Sequence, residues 1–447
     1  MSGIAGCAAP GRARDVERML QRMAHRGPAG RAAAQVEGWT IGVAWTEAEA
    51  ERSGRPDPKG DGFVRDGFGH GRLAEARFSR GGWSLVRDEI GVAPLYYGFL
   101  PDGVLVFASE VKALAGAVNE VREFPPGTRR RNGKSGTYFE LKREEPLREP
   151  SEKVAAQLRR RLETSVARRV RGKAFGCWLS GGLDSSVMAA LARPRVETLH
   201  TFAAGTDGAP DLKFARQAAE FLGTKHHELV VTVDDLLKVL PDVIASLESF
   251  DPLLVRSSVV NWLVAREAAK RVGESLSGEG GDELFAGYDY LRKLPSAQLA
   301  DELVDITGRL HNTALQRVDR SAAAHGLVVH TPFLDPTVVD YALRIPASQK
   351  IRAGVEKWIL RRAVEGLLPK DVLNRRKSKF WQGAGVGDLL ARHADKRISD
   401  LDFYWGSRLP NGWRLRTKEE LFYRRIFRER LGEIPSLDWM GRSREAS

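Results

Sequence analysis

At 447 residues the chain exceeds the usual size of one domain, so two domains are expected, each large enough to bury its own core. Its 42% hydrophobic and 29% charged residues suit a globular protein, and no stretch approaches the roughly 20 consecutive apolar residues that span a bilayer, which excludes a membrane helix. The formal net charge of +12 is spread along the chain and is densest near the C-terminus; this argues against a nucleic-acid partner and for a basic surface with a pocket for a polyanion such as ATP.

The first residues, Met1-Ser2-Gly3-Ile4-Ala5-Gly6, lack the basic start and long apolar segment of a secretory signal, and Cys7 and Cys177 form no disulfide framework. A reducing cytoplasm is the expected compartment. Residues 1–145 are rich in Gly and Arg, and short runs such as 83–86 and 104–107 between turn signals predict a small, mainly β domain. The charged stretch 142–152, with Pro146 and Pro150, reads as a linker.

From residue 151 to about 435 the pattern changes to helices alternating with apolar strands, which predicts an open parallel sheet flanked by helices, an α/β fold. A helix over 154–169 leads into a strand over 174–179, a Ser-Gly-Gly loop and a further helix through 187–191. A second strand over 199–204 precedes a helix over 211–222, whose Phe214, Ala218 and Phe221 are expected on one buried face and which Gly223 stops. A third strand is expected over 228–233. Right-handed crossovers place the carboxyl ends of these strands on one edge, where ligands bind. The segment 418–432, with Leu421, Phe422, Ile426 and Leu431, predicts an amphipathic helix whose arginines are solvated.

Three clusters carry chemistry. In Ser180-Gly181-Gly182-Leu183-Asp184-Ser185-Ser186, small residues after a buried strand allow a tight turn that aims N–H groups at an anion, and the following helix adds its dipole. Asp184 falls in the first turn of that helix, where a carboxylate is stable and can hold magnesium bridging phosphate oxygens. The common P-loop pattern occurs nowhere. Ser277-Gly278-Glu279-Gly280-Gly281-Asp282-Glu283 also follows an apolar segment and precedes a helix-compatible run over 284–290. Its three carboxylates beside a polyanion are unfavourable unless metal ions or substrate amines intervene. Arg375-Arg376-Lys377-Ser378-Lys379-Phe380 is basic and could neutralise a departing pyrophosphate.

Together with Phe202-Ala203-Ala204-Gly205 leading to Pro210-Asp211-Leu212, His226-His227-Glu228, Pro332-Phe333-Leu334-Asp335 and Glu356-Lys357-Trp358-Ile359-Leu360-Arg361, these segments resemble the asparagine synthetase family, of the B type. The synthetase domain of that family belongs to the PP-loop ATP pyrophosphatases, with an adenine-nucleotide α-hydrolase-like sheet. The resemblance implies that an aspartate carboxylate attacks the α-phosphate of ATP, giving β-aspartyl-AMP and pyrophosphate, and that ammonia then displaces AMP. At the matching positions it implies that Ser180, Gly181, Gly182, Asp184 and Ser185 bind the phosphates. Trp178, Leu179, Ala204, Ser277 and Gly278 line the adenosine pocket, and Asp184 and Asp282 hold Mg2+. Glu279 lies at the adenylate, where a carboxylate can manage the amine's proton, and Lys377 and Arg256 face the pyrophosphate. A homodimer is left open.

Ser2-Gly3-Ile4-Ala5-Gly6, His25-Arg26-Gly27-Pro28, the run from Arg87 to Tyr97, Ser109-Glu110 and Pro125-Pro126-Gly127 resemble pieces of the family's glutamine amidotransferase domain. They imply a shortened Ntn-hydrolase-like fold of the αββα type. The family's N-terminal cysteine is replaced by Ser2, a weaker nucleophile at neutral pH, and its Asn-Gly-Glu motif is absent. Residues 1–145 therefore read as a remnant without glutaminase activity, with Ser2 at the degenerate nucleophile position. Before Pro332 the family's Glu-x-Arg is replaced by Val328-Val329-His330, so a related carboxylate could replace aspartate. The alternatives are an amide ligase resembling β-lactam synthetases or peptide-cyclising enzymes and, more remotely, a PP-loop tRNA-modifying enzyme. Ammonia and glutamine both remain open as nitrogen donors.

Overall fold

The computed structural model describes residues 1–79, 82–377 and 380–443. Eleven strands precede residue 140 among them: Gly3–Cys7 (β1), Gly30–Val36 (β2), Trp39–Trp45 (β3), Phe63–Gly69 (β4), Arg72–Ser79 (β5), Gly82–Arg87 (β6), Tyr96–Phe99 (β7), Leu105–Ala108 (β8), Arg122–Glu123 (β9), Thr128–Arg131 (β10) and Lys134–Thr137 (β11). They form two antiparallel sheets, ordered β2-β3-β1-β8-β7-β9 and β11-β10-β6-β5-β4. The runs expected over 83–86 and 104–107 are β6 and β8, shifted by a residue or so.

Period-two alternation explains how the sheets face each other. Along β5, Ala74, Ala76 and Phe78 point into a core with Ile4, Trp39, Ile41 and Val43 of the first sheet, and Trp39 lies 5.1 Å from the Phe78 ring. Glu75 and Arg77 take the opposite face, where Glu75 pairs with Arg65. The helix Ala13–Arg22 covers the first sheet with Val16, Met19 and Leu20, packing on β1 and β3. The Arg87–Tyr97 motif is a folded corner: Asp88 accepts from the amides of Leu73, Val92 and Ala93, and Arg87 donates to the carbonyls of Ala93 and Phe124.

Residues 140–150 carry no helix or strand, and the helix Ser151–Arg169 follows. The strands Ala174–Trp178 (β12), Thr198–Gly205 (β13), Lys225–Val230 (β14), Glu274–Leu276 (β15) and Val328–His330 (β16) form a wholly parallel sheet ordered β14-β13-β12-β15-β16. The order reverses between β12 and β15, and such a switch point opens a crevice at the carboxyl edge. The loops after these two strands carry the Ser-Gly-Gly and Ser-Gly-Glu motifs.

Three expectations need correction. The third strand occupies Lys225–Val230 rather than 228–233, because Thr232 and Asp235 form a capping box that starts the helix Val233–Leu247. The helix Pro210–Leu222 buries Leu212, Ala215, Ala218 and Ala219, whereas Phe221 is 57% exposed and Phe214 lies beneath Arg375 at 4.3 Å. Small residues face the sheet here, so the largest apolar side chains mislead. The run 284–290 is interrupted: a short helix Gly281–Phe285 ends at Ala286, which is left-handed with φ of 58°.

The helix Lys418–Leu431 forms as expected, burying Leu421, Tyr423 and Phe427, but several arginines are paired rather than merely solvated: Arg424 with Glu433 and Arg425 with Asp402. Both cysteines are free and buried. No helix among the described residues is long and apolar enough to cross a membrane.

Candidate active site

The Ser180 loop begins where β12 ends. The Ser180 amide donates to Ser185 Oγ at 3.1 Å, the two hydroxyls lie 3.0 Å apart, and Ser185 Oγ donates to the Gly182 carbonyl at 3.2 Å, so the side chains brace the turn from within. Gly181 has φ of +70°, and a Cβ there would meet Ala215 N at 2.5 Å; only glycine permits this approach to the helix Pro210–Leu222. Leu183–Ala192 then forms a helix whose first turn holds Asp184, as its position in the motif predicts.

The second loop packs directly on the first. A Cβ at Gly278 would stand 2.8 Å from Ser185 N and 2.9 Å from the Asp184 carbonyl carbon, so the absence of a side chain lets the backbones touch. Asp184 and Asp282 converge there on Lys357, which contacts Asp184 and stands 2.6 Å from Asp282 Oδ1. Lys377 Nζ lies 2.5 Å from Asp282 Oδ2. Burial raises the Asp184 carboxyl, against Lys357. Burial would also raise Asp282, but Lys357 and Lys377 hold it below the ordinary carboxylate range. Burial works to lower Lys377, yet Asp282 and Asp184 hold its ammonium above the usual lysine value.

The remaining carboxylates are neutralised in other ways. Arg317 Nη2 donates to Glu279 Oε1 at 2.6 Å. Burial, with Asp282 nearby, pushes Glu283 up to about 7, and Tyr288 donates its hydroxyl to it. Arg375 pairs with Asp211, and Glu356 holds Arg361 at 2.6 Å while accepting from the Lys377 amide at 3.3 Å. The Glu356-to-Arg361 motif thus braces the chain that delivers Lys377.

These groups open into a cavity of about 710 Å³. Trp178, Leu179, Ser180, Asp184, Ser185, Ala204, Ser277, Gly278, Glu279, Asp282 and Lys377 all line it, while Gly182 lines a small adjoining cleft and Gly181 forms the turn behind. Its lining combines apolar side chains, among them Trp178, Phe202, Ala203 and Val264, with polar ones, among them Tyr290, Glu302, Arg309, Thr313 and Arg317. Trp178 Nε1 and Asp184 Oδ1 are buried with no hydrogen-bond partner among the described residues.

Arg256 does not join this group. Its guanidinium grips Glu419 of the helix Lys418–Leu431, at 2.8 Å from Nε and 2.5 Å from Nη2, and lies outside the cavity lining. Burial pressure on an arginine is relieved by a carboxylate, and the one supplied is 163 residues away, beyond any sequence window. Conversely, Lys357, Arg317 and Tyr288 line the cavity or the adjoining cleft and carry no role in the sequence reading. For Lys357 a signal existed, since it stands inside a quoted motif; its left-handed φ of 55° is a strained feature of the kind that collects at sites. Ser378 and Lys379 lie outside the described residues.

Among the described residues no three His, Cys, Asp or Glu side chains converge as a metal cage. Magnesium bound with phosphates needs only one or two carboxylates, and Asp184, whose Oδ1 has no hydrogen-bond partner, together with Asp282, joined to it through Lys357, fits that arrangement.

Ser2 is buried at 5% exposure. Its hydroxyl lies 3.2 Å from Asp66 Oδ1 and its amide donates to Glu49 at 2.8 Å. Arg26, Asp66 and Arg72 fill the space beside it with ion pairs. His330, assigned no role, is a packed residue held by Glu274 at 2.6 Å.

Fold and site together define a two-part chain, an amidotransferase-like pair of antiparallel sheets joined to a parallel-sheet synthetase of nucleotide-binding type. The comparisons sharpen this. Residues 157–309 and 297–444 match the asparagine synthase family model, and residues 78–126 match the glutamine amidotransferase domain. The sequence is 37% identical over 387 residues to a probable glutamine-hydrolysing asparagine synthetase of Schizosaccharomyces pombe, covering 77% of this chain and 69% of that one. A Dictyostelium discoideum counterpart is 34% identical, covering 83% and 73%; asparagine synthetase B of Escherichia coli is 35% identical, covering 85% and 72%. The chain belongs to the asparagine synthase family, a family of carbon–nitrogen ligases.

Proposed function

We propose that the chain is an ATP-dependent, amide-forming ligase that converts aspartate to asparagine through β-aspartyl-AMP, with free ammonia as nitrogen donor. Membership of the family supports the reaction, and the joining of the two Gly-rich loops to Lys357 and Lys377 around Asp184 and Asp282 is the observation that carries it. The loop from Ser180 to Ser185, with the N-terminus of the helix Leu183–Ala192, receives phosphate oxygens, and the apolar lining with the free Trp178 Nε1 receives adenosine. Asp184 and Asp282 would hold magnesium, which when bound offsets phosphate charge and favours pyrophosphate departure. A carboxylate oxygen of aspartate attacks the α-phosphorus and the bond to pyrophosphate breaks. Lys377 and Lys357 are the cations beside that leaving group. Ammonia then attacks the acyl carbon, the bond to AMP breaks, and Glu279 beside Arg317 takes the proton the nitrogen loses.

Residues 1–145 form the amidotransferase-like domain and 151–435 the synthetase domain in this reading. The burial of Ser2 against Asp66 and Glu49, and the ion pairs filling its surroundings, support loss of glutamine hydrolysis. Two buried free cysteines agree with a reducing cytoplasm.

Pyrophosphate release from ATP and magnesium with aspartate, with ammonia or glutamine as donor and the product identified by mass, tests this reading. Asparagine formed from ammonia alone is expected. Release without dependence on aspartate would move the enzyme to another acceptor. Ser2→Ala is expected to leave ammonia-dependent turnover unchanged, and glutamine-dependent turnover that vanishes in this variant would restore an active amidotransferase.

A further inference from the structure

The helix Ala314–Ala323 stands between two polar regions that belong to different halves of the chain. Arg317 lines the cavity and holds Glu279 at 2.6 Å, and Leu310 and Thr313, just before the helix, line the cavity with it. Gln316, Asp319 and Arg320 face away. Gln316 donates to the Leu247 carbonyl at 2.7 Å. Asp319 accepts from Arg26 at 2.8 and 3.1 Å, from Arg72 at 2.9 Å and from Arg320 at 2.7 Å. Arg320 continues to Glu248 at 3.0 Å, and Arg26 to Glu110 at 2.9 Å and Asp66 at 3.1 Å. Lys112 reaches Glu110 at 2.8 Å.

Four cations, Arg26, Arg72, Lys112 and Arg320, thus meet four anions, Asp66, Glu110, Glu248 and Asp319, and Arg26, Asp66, Glu110 and Glu248 are all fully buried. Glu248 takes a left-handed φ of 58° to present its carboxylate to Arg320 and to the amides of Val111 and Lys112. A buried network of this size tolerates few orientations, because each group must keep its partners. The rotation of the helix about its axis is therefore set by Asp319, and with it the direction of Arg317 two residues away.

We infer that the amidotransferase-like half positions Glu279 in the synthetase cavity: Arg26 and Arg72, acting through Asp319, hold the helix Ala314–Ala323 so that Arg317 meets Glu279. The kinetic part rests on the proposed function, while the structural part does not. Arg26, Arg72 and Asp319 are positioning residues, and they give the amidotransferase-like half a task that needs no nucleophile.

The test uses the full chain with Asp319→Asn and the milder Arg72→Lys, either of which carries it if the other fails to fold. Amide exchange is followed over 277–283, which reaches the network through Arg317, and over 180–185 as control. Exchange over 277–283 is expected to quicken while 180–185 stays unchanged. The aspartate KM is expected to rise by about tenfold at constant ATP KM, and Asp319→Asn is expected to add nothing further in an Arg317→Lys background. Unchanged exchange over 277–283, equal quickening of both loops, or additive kinetic effects would each overturn the inference. A wild-type enzyme that releases no pyrophosphate with aspartate would refute the acceptor instead, and the exchange measurement would still decide the coupling.

Discussion

Two aspartates and two lysines do most of the electrostatic work at the centre of the cavity, and their mutual dependence makes them testable one at a time. Asp184→Ala and Lys377→Ala are each expected to abolish ATP cleavage to AMP and pyrophosphate while circular dichroism keeps the native signal; full turnover in either would remove the assigned site. Asp184 and Lys377 stand out in the sequence through their motifs, and both line the cavity. Arg256 stands on the same footing in the sequence but pairs with a distant glutamate and does not line the cavity. Lys357 is the complementary case, a residue whose contact with Asp184 spans 173 positions and which only folding could bring to the site.

At the scale of elements, the two Gly-rich loops act as one device because β12 and β15 are neighbours. Neither loop alone distinguishes a nucleotide site from an ordinary turn. Gly278 is the contact point, so Gly278→Ala forces a methyl group against Ser185 N and the Asp184 backbone. A fall of about tenfold or more in kcat/KM for ATP is expected, corresponding to about 1.4 kcal/mol, together with a lower melting temperature. An unaltered kcat/KM would show that the loops do not need their close approach. Element type was legible from periodicity through most of the synthetase half, whereas faces and ends were less so. The helix Pro210–Leu222 buries alanines against β13, and the third strand moved because a threonine cap begins the next helix sooner than apolar content suggests.

At the scale of the whole molecule, ion pairs between segments remote in sequence make stability depend on pH. Burial would raise Glu123, but Arg87 at 2.7 Å and then His311 hold it down to about 2 from an ordinary 4.5. A carboxyl whose folded value is depressed contributes stability that is fully present above about 4.5 and lost as the pH falls towards 2. Glu123→Gln is accordingly expected to lose about 3 kcal/mol at neutral pH, with the difference from wild type closing as the pH approaches 2. Denaturant unfolding of both proteins across that range would check this, and a difference independent of pH would refute it.

What the sequence by itself determined are features whose cause is local. Small residues after a strand allow a tight turn, and apolar periodicity dictates helix or strand. Only the tertiary structure decided which charges meet. A buried ion needs a partner within a few ångströms, and the partner is supplied by whichever segment the fold carries there: Lys357 to Asp184, Glu419 to Arg256, Asp319 to Arg26.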